Sequence, residues 1–133
     1  MKINFKSIYK NFNDEESNII EFTTNLLENY VEDNFNVVVF DKNRNETKIR
    51  NRIEYNENEI KIYSGISSLA CKLNEVVKNN FVVQGMESNT FYIYTKLIKI
   101  KIDNNYLNTE YLVSHSNEFK EFTKINLTLN ISD

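Results

Sequence analysis

Apolar and polar residues alternate along most of this chain with a period of two, the spacing of a strand buried on one face. The longest such stretch is Thr90 to Asp103, TFYIYTKLIKIKID. Phe91, Ile93 and Thr95 fall on one face. Ile98, Ile100 and Ile102 alternate in the opposite phase, and the switch lies between Lys96 and Ile98, where Leu97 and Ile98 are adjacent. A strand that buries odd positions first and even positions later must bulge or bend at the switch.

The rest of the chain reads in the same way. Residues 2–10 form a strand with Ile3, Phe5, Ser7 and Tyr9 on one face, and NFNDEESN at 11–18 is a polar turn. A β-rich run follows at 19–24, and Leu26 to Asp33 has good helix formers, yet Leu27, Asn29 and Val31 alternate with Leu26, Glu28 and Tyr30 and the run reads as a strand. Val37 to Phe40 is a continuous apolar run, consistent with a strand buried on both sides. Thr47 to Tyr55 alternates, with Ile49, Asn51, Ile53 and Tyr55 opposite Lys48, Arg50, Arg52 and Glu54. An Asn-rich turn at 56–58 joins it to a strand at 59–64, a hairpin signal. Residues 66–78 fit a helical face through Ile66, Leu69, Ala70, Leu73, Val76 and Val77, and equally a strand face through Leu69, Cys71, Leu73 and Val77. Asn79-Asn80 suits a turn before a strand at 81–86. Tyr106 to Ser114 is a strand, and the last strand carries Phe119, Thr123, Ile125, Leu127, Leu129 and Ile131 on one face.

Eight to ten short strands joined by tight polar turns predict one all-β domain over residues 1–133. Nearest-neighbour connections and the long bent strand favour an antiparallel up-and-down β-barrel, which also removes exposed edges.

Composition adds bounds. A chain of 133 residues, 41% hydrophobic, buries enough surface to fold without a disulfide or metal. The single cysteine, Cys71, excludes an intramolecular disulfide framework, and the N-terminus lacks the apolar core of a secretory signal. No stretch reaches the roughly 20 apolar residues of a membrane helix. These features predict a reduced, cytoplasmic location and no membrane partner. The net charge of −3 gives no general attraction to nucleic acid. With no proline and two glycines, turns fall to asparagine, which tolerates the left-handed region better than other non-glycine residues.

Three stretches, IIEFTTNLLENYVEDNFNVVVFDKN at 19–43, EIKIYSGISSLACKLNE at 59–75 and NTFYIYTKLIKI at 89–100, carry a resemblance. In their order and spacing the chain resembles the YwiB-type family of small bacterial calycin-like, or lipocalin-like, β-barrels. That resemblance implies strands at 26–33 and 69–77. It brings no established activity and no catalytic residues. The chain departs from the family pattern at Asn25 and Asn89, which stand where glycine is usual at turns. It also lacks the usual Tyr/Glu ending of the strand around Val39 to Asp41.

Candidate chemistry is sparse. His115 is the lone histidine, and neither it nor Cys71 sits in a zinc-ligand spacing. Cys71, among Leu69, Ala70 and Leu73, reads as a buried structural thiol. The acidic groups at 14–16 and at 54, 57 and 59 read as solvated turns. Lys48, Arg50 and Arg52 project together, a surface that could take single-stranded nucleic acid, but Glu46 and Glu54 bracket the row and a solvated outer face is favoured. Polar residues on inward faces are more informative, since a few polar groups in an apolar barrel are what a small-ligand pocket contains. Asn51, Tyr55 and Thr95, with His115 at the rim, are therefore the predicted ligand-binding residues. The expectation is a non-enzymatic protein, without a cofactor or metal, that binds a small, partly apolar ligand. The alternative is a protein–protein or homodimer module with a filled core, using an outward patch of Tyr63, Tyr92 and Tyr94.

Overall fold

The computed structural model describes residues 1–133. Its first five strands are β1 (Lys2–Asn11), β2 (Asn18–Glu32), β3 (Phe35–Arg44), β4 (Thr47–Tyr55) and β5 (Glu59–Ser64). The other five are β6 (Ser67–Lys72), β7 (Val76–Phe81), β8 (Phe91–Asp103), β9 (Tyr106–Ser114) and β10 (Phe122–Ser132). They form one antiparallel, barrel-shaped sheet in the order β6-β5-β4-β3-β2-β1-β10-β9-β8-β7. Every strand except β6 and β7 is flanked on both sides. The first and last strands zip together over their length, from Lys2↔Ser132 to Asn11↔Thr123.

Turn chemistry sets these hairpins. Asp33-Asn34 and Asn45-Glu46 each place both central residues at positive φ, as a two-residue I′ hairpin turn requires. Asn74 and Asn105 also adopt positive φ, so asparagine does take over turn duties. Asn56 folds the β4–β5 turn by accepting hydrogen bonds from the Asn58 and Glu59 N–H groups at 2.9 and 3.0 Å.

The core lies between the two curved halves of the sheet. Ile3, Val38, Phe40, Ile53, Ile60, Leu97, Leu107, Leu127 and Leu129 fill the middle of the barrel. Phe5, Phe22 and Phe40 form an aromatic cluster with centroids 5.0–6.1 Å apart, a separation at which such pairs add about 0.5–1.5 kcal/mol beyond their burial. Val37 and Val39 point away from this core yet are as buried as Val38 and Phe40, so the apolar run is buried on both faces. On the outside they are covered by long side chains in register with them. Glu54 stands opposite Val37 and Arg52 opposite Val39, and Lys61 lies 4.6 Å from the Phe35 ring centroid.

Two bulges shape the wall. In β8 the pairing with β9 shifts between Leu97 and Lys99, so Ile98 is the extra residue. Thr95 and Leu97 are buried before it, and Ile100 and Ile102 pack on the core after it. The phase switch is thus this bulge, with Ile98 itself turned outward at 40% exposure. In β2 the shift falls between Leu26 and Glu28. Its first half pairs with β1 and its second with β3.

Several boundaries differ from the sequence reading. The two runs expected at 19–24 and 26–33 are one strand ending at Glu32, and Asn25 lies inside it rather than in a turn. The ambiguous segment is two strands around a tight turn at 73–75. Asn79-Asn80 belongs to β7, and of the strand expected at 81–86 only Phe81 is in a strand, as the last residue of β7, while 82–86 lie in the 82–90 loop. Asn89 sits in that loop without positive φ. The last strand begins at Phe122 rather than Phe119.

Candidate functional site

β6 and β7 follow one another through Leu73–Glu75 but are not paired along their length. Side chains close this seam. The Asn79 Oδ1 accepts from the Ala70 N–H at 2.8 Å, and its Nδ2 donates to the Ala70 carbonyl at 3.1 Å. The side-chain amide therefore meets Ala70 as a strand backbone would. Asn79 Nδ2 also donates to Thr95 Oγ1 at 3.1 Å, and the Thr95 hydroxyl donates to the Ala70 carbonyl at 2.5 Å. At one end of the seam the Asn74 N–H donates to the Leu97 carbonyl at 2.9 Å. At the other the Ser67 hydroxyl donates to the Val82 carbonyl at 2.7 Å.

At the Ser67–Val82 end of the seam lies a cleft of about 700 Å³. Its apolar walls are Ile49, Ile62, Ile66, Leu69, Phe81 and Val83, and Tyr111 reaches it from the opposite wall. Tyr111 is 6% exposed. No enclosed side-chain polar atom of the protein lacks a partner, and the Tyr111 hydroxyl, which makes no bond within the chain, is accordingly open to the cleft. Gly65, at positive φ in the β5–β6 turn, donates its N–H to the Arg50 carbonyl at 3.1 Å and folds the lip over β4. Arg44, Lys48 and Arg50 complete the rim.

Burial raises the Tyr111 phenol, and the nearby Cys71 thiol adds to the effect. Cys71 is itself fully buried, and burial pushes it up to about 12, against a smaller opposing effect of the Thr95 hydroxyl. A thiol that stays protonated at neutral pH is a poor nucleophile. No three His, Cys, Asp or Glu side chains come together in a metal-ligating group.

The four residues predicted from sequence do not share one cavity. Thr95 is fully buried and belongs to the seam. Asn51 is buried one pair inside the cleft, opposite Ser64, and donates to the Ile49 carbonyl at 3.1 Å. Tyr55 lies at the far end of β4, in a depression with Ile102 to Asn105. Its phenol is raised by burial. His115 is exposed on the bend after β9, in a separate depression of about 330 Å³ with Phe12 and Phe122. Sequence reasoning passed over Asn79, because an Asn-Asn pair reads as a turn. The signal was the row Val77, Asn79 and Phe81, which continues the period of two.

The basic row is largely neutralised. Arg50 Nε bonds Asp41 at 2.6 Å, and Arg52 Nε bonds Glu54 at 2.8 Å with Glu32 at 3.9 Å. Asp41 holds the Arg50 guanidinium above its ordinary value.

These features define an antiparallel ten-stranded barrel with one side-chain-closed seam and a cleft at its end, a YwiB-type fold. The crystal structure of the YwiB protein from Bacillus subtilis is similar to it, with a TM-score of 0.69 over 99% of this chain and 91% of that one. At 12% identity the likeness is one of fold alone. No protein-family model and no curated protein matches the sequence.

Proposed function

We propose that this protein binds a small, partly apolar ligand in the cleft at the β5–β7 end of a calycin-like, lipocalin-like barrel, without catalysing a reaction. The observation that carries the reading is the cleft itself: six apolar side chains and one phenol facing an open volume of about 700 Å³. Pockets of that size, apolar with a few polar groups, are where small ligands are held. The middle of the barrel is filled by side chains, which moves the site from the interior to the mouth. Of the residues expected to orient the ligand, Asn51 and Thr95 act here from beneath, by fixing the floor and the seam, while Tyr55 and His115 face other depressions. The buried, protonated Cys71 and the distant, exposed His115 support binding without catalysis. We take the setting to be the bacterial cytoplasm, in keeping with one unpaired cysteine.

A second reading, a homodimer or interaction module, has one observation in its favour. Between Asn18 and Asn25 β2 pairs with β1 only, and Ile19 is 60% exposed there. The tyrosine patch fits this reading less well, since Tyr63 stands on β5 and Tyr92 on β8 with β6 and β7 between them. Native mass spectrometry of freshly purified protein separates the two. A small-molecule adduct on a monomer is expected for the ligand reading, and it should vanish in Ser64→Trp, which fills the cleft from an exposed position.

A further inference from the structure

At the other end of β4 from the cleft, two adjoining depressions of about 430 and 510 Å³ share Asn36 and Ile102. Three polar side chains reach the first from neighbouring strands: Asn29 of β2, Asn36 of β3 and Tyr55 of β4. All three stand on the core-facing side of the sheet. Asn36 is the register partner of Tyr55, and Asn29 is that of Val38, a core residue two on from Asn36. Backbone conformation explains the asparagines at turns, but Asn29 and Asn36 lie within strands. Neither amide makes a hydrogen bond within the chain, and nor does the Tyr55 hydroxyl. Tyr55 is 6% exposed, and no enclosed side-chain polar atom lacks a partner, so its hydroxyl opens into the depression. Burial raises the phenol, which therefore keeps its proton at neutral pH and can donate as well as accept. Ile102 and Ile131, which pack against the core, supply the apolar part of the lining.

We propose that this end of the barrel is a second binding site, which takes a small, neutral polyhydroxylated molecule such as a monosaccharide through Asn29, Asn36 and Tyr55. Each amide offers donors and an acceptor side by side, and the phenol offers both, the pattern that neighbouring hydroxyls match. Ile102 and Ile131 give the C–H face of a sugar ring an apolar surface to lie on. A charged ligand finds little here. No lysine or arginine lines either depression, so an anion has no counter-charge. Each depression has one carboxylate, Asp103 or Glu57, and Asp103 already accepts from the Asn104 N–H at 2.8 Å. The site is separate from the apolar cleft and does not depend on a ligand there.

The test titrates D-glucose into isotope-labelled protein and follows the amide resonances by NMR, with cyclohexanol as a ring of the same size that carries a single hydroxyl. Glucose should shift the side-chain amide signals of Asn29 and Asn36 with millimolar affinity, and cyclohexanol should leave them in place. Tyr55→Phe, which removes only the hydroxyl, and Asn29→Ala, at an exposed position, should each weaken glucose about three- to tenfold while the rest of the spectrum stays that of the folded wild type. Ser64→Trp, in the cleft, should bind glucose as the wild type does. No shift at Asn29 and Asn36, equal shifts with cyclohexanol, or glucose binding that survives both substitutions would overturn the site. Glucose binding lost in Ser64→Trp would belong to the cleft and would overturn it too. A sugar held this weakly is lost on purification, so a small-molecule adduct on the purified protein still reports the cleft alone.

Discussion

Asn79 does at the β6–β7 seam what a neighbouring strand does elsewhere in the barrel. Its amide occupies both the N–H and the carbonyl of Ala70 from a position 9% exposed. Asn79→Leu should therefore leave the Ala70 N–H without a partner and cost about 2–3 kcal/mol in urea denaturation. Thr95→Val should cost less, because Asn79 still reaches the Ala70 carbonyl. Thr95 was legible in the sequence as a polar residue in an apolar row. Asn79 was not, because its local chemistry suits a turn and only the tertiary placement of β6 makes it a bridging group. A second residue-scale consequence concerns alkaline pH. Cys71 titrates from 9.0 unfolded to about 12 folded, and Tyr111 is raised from 10.0. Each group keeps its proton longer in the native state, so the stability it lends is complete below the unfolded value and is lost as pH rises through the folded one. Urea midpoints should fall from about pH 9 upward. Tyr111→Phe and Cys71→Ala should each flatten that fall, whereas an unchanged slope in both would show that these groups do not carry it.

At the scale of elements, the β8 bulge decides which residues face the core. If Ile98 were held in a regular ladder without the bulge, Lys99, Lys101 and Asp103 would take the inward places now held by Ile100 and Ile102. Deleting Ile98 should keep the register, since Leu97↔Tyr111 and Lys99↔Glu110 then follow one another, but remove the local bend and cost more than about 1 kcal/mol. Ile98→Thr, at an exposed β-favouring position, should change stability by no more than about 0.5 kcal/mol. A circular-dichroism melt of the two variants distinguishes them. This bulge was legible, because two adjacent apolar residues broke an otherwise strict alternation. The β2 bulge at Leu27 was harder to see, since good helix formers at 26–33 blur the period and a bend there looks like a break between two runs. Residues 66–78 satisfied both periods at once. What separates them is Asn74 at positive φ, a turn residue that neither period reveals.

At the scale of the whole molecule, the all-β barrel was readable from even strand spacing and polar turns, and its end cleft was not. The cleft depends on tertiary placement, since Leu69, Phe81 and Tyr111 line one space from three different strands. Inward polarity marked Asn51 and Thr95, which are buried, and neither lines the cleft. Tyr55 and His115 drew notice for the same chemical reasons but stand at other places on the surface, which no single-strand pattern can tell apart. The basic row Lys48, Arg50 and Arg52 divides by its partners: Arg50 and Arg52 are paired with carboxylates, and Lys48 makes no ion pair. A barrel with a filled middle and a partly apolar cleft at one end accounts for the place of the proposed ligand. The most direct measurement is the native mass spectrum of freshly purified wild type beside Ser64→Trp. A mass increment from a small molecule on the wild type, missing from Ser64→Trp, is the predicted result. A bare wild-type chain, or an increment that Ser64→Trp retains, would contradict the cleft as the binding site.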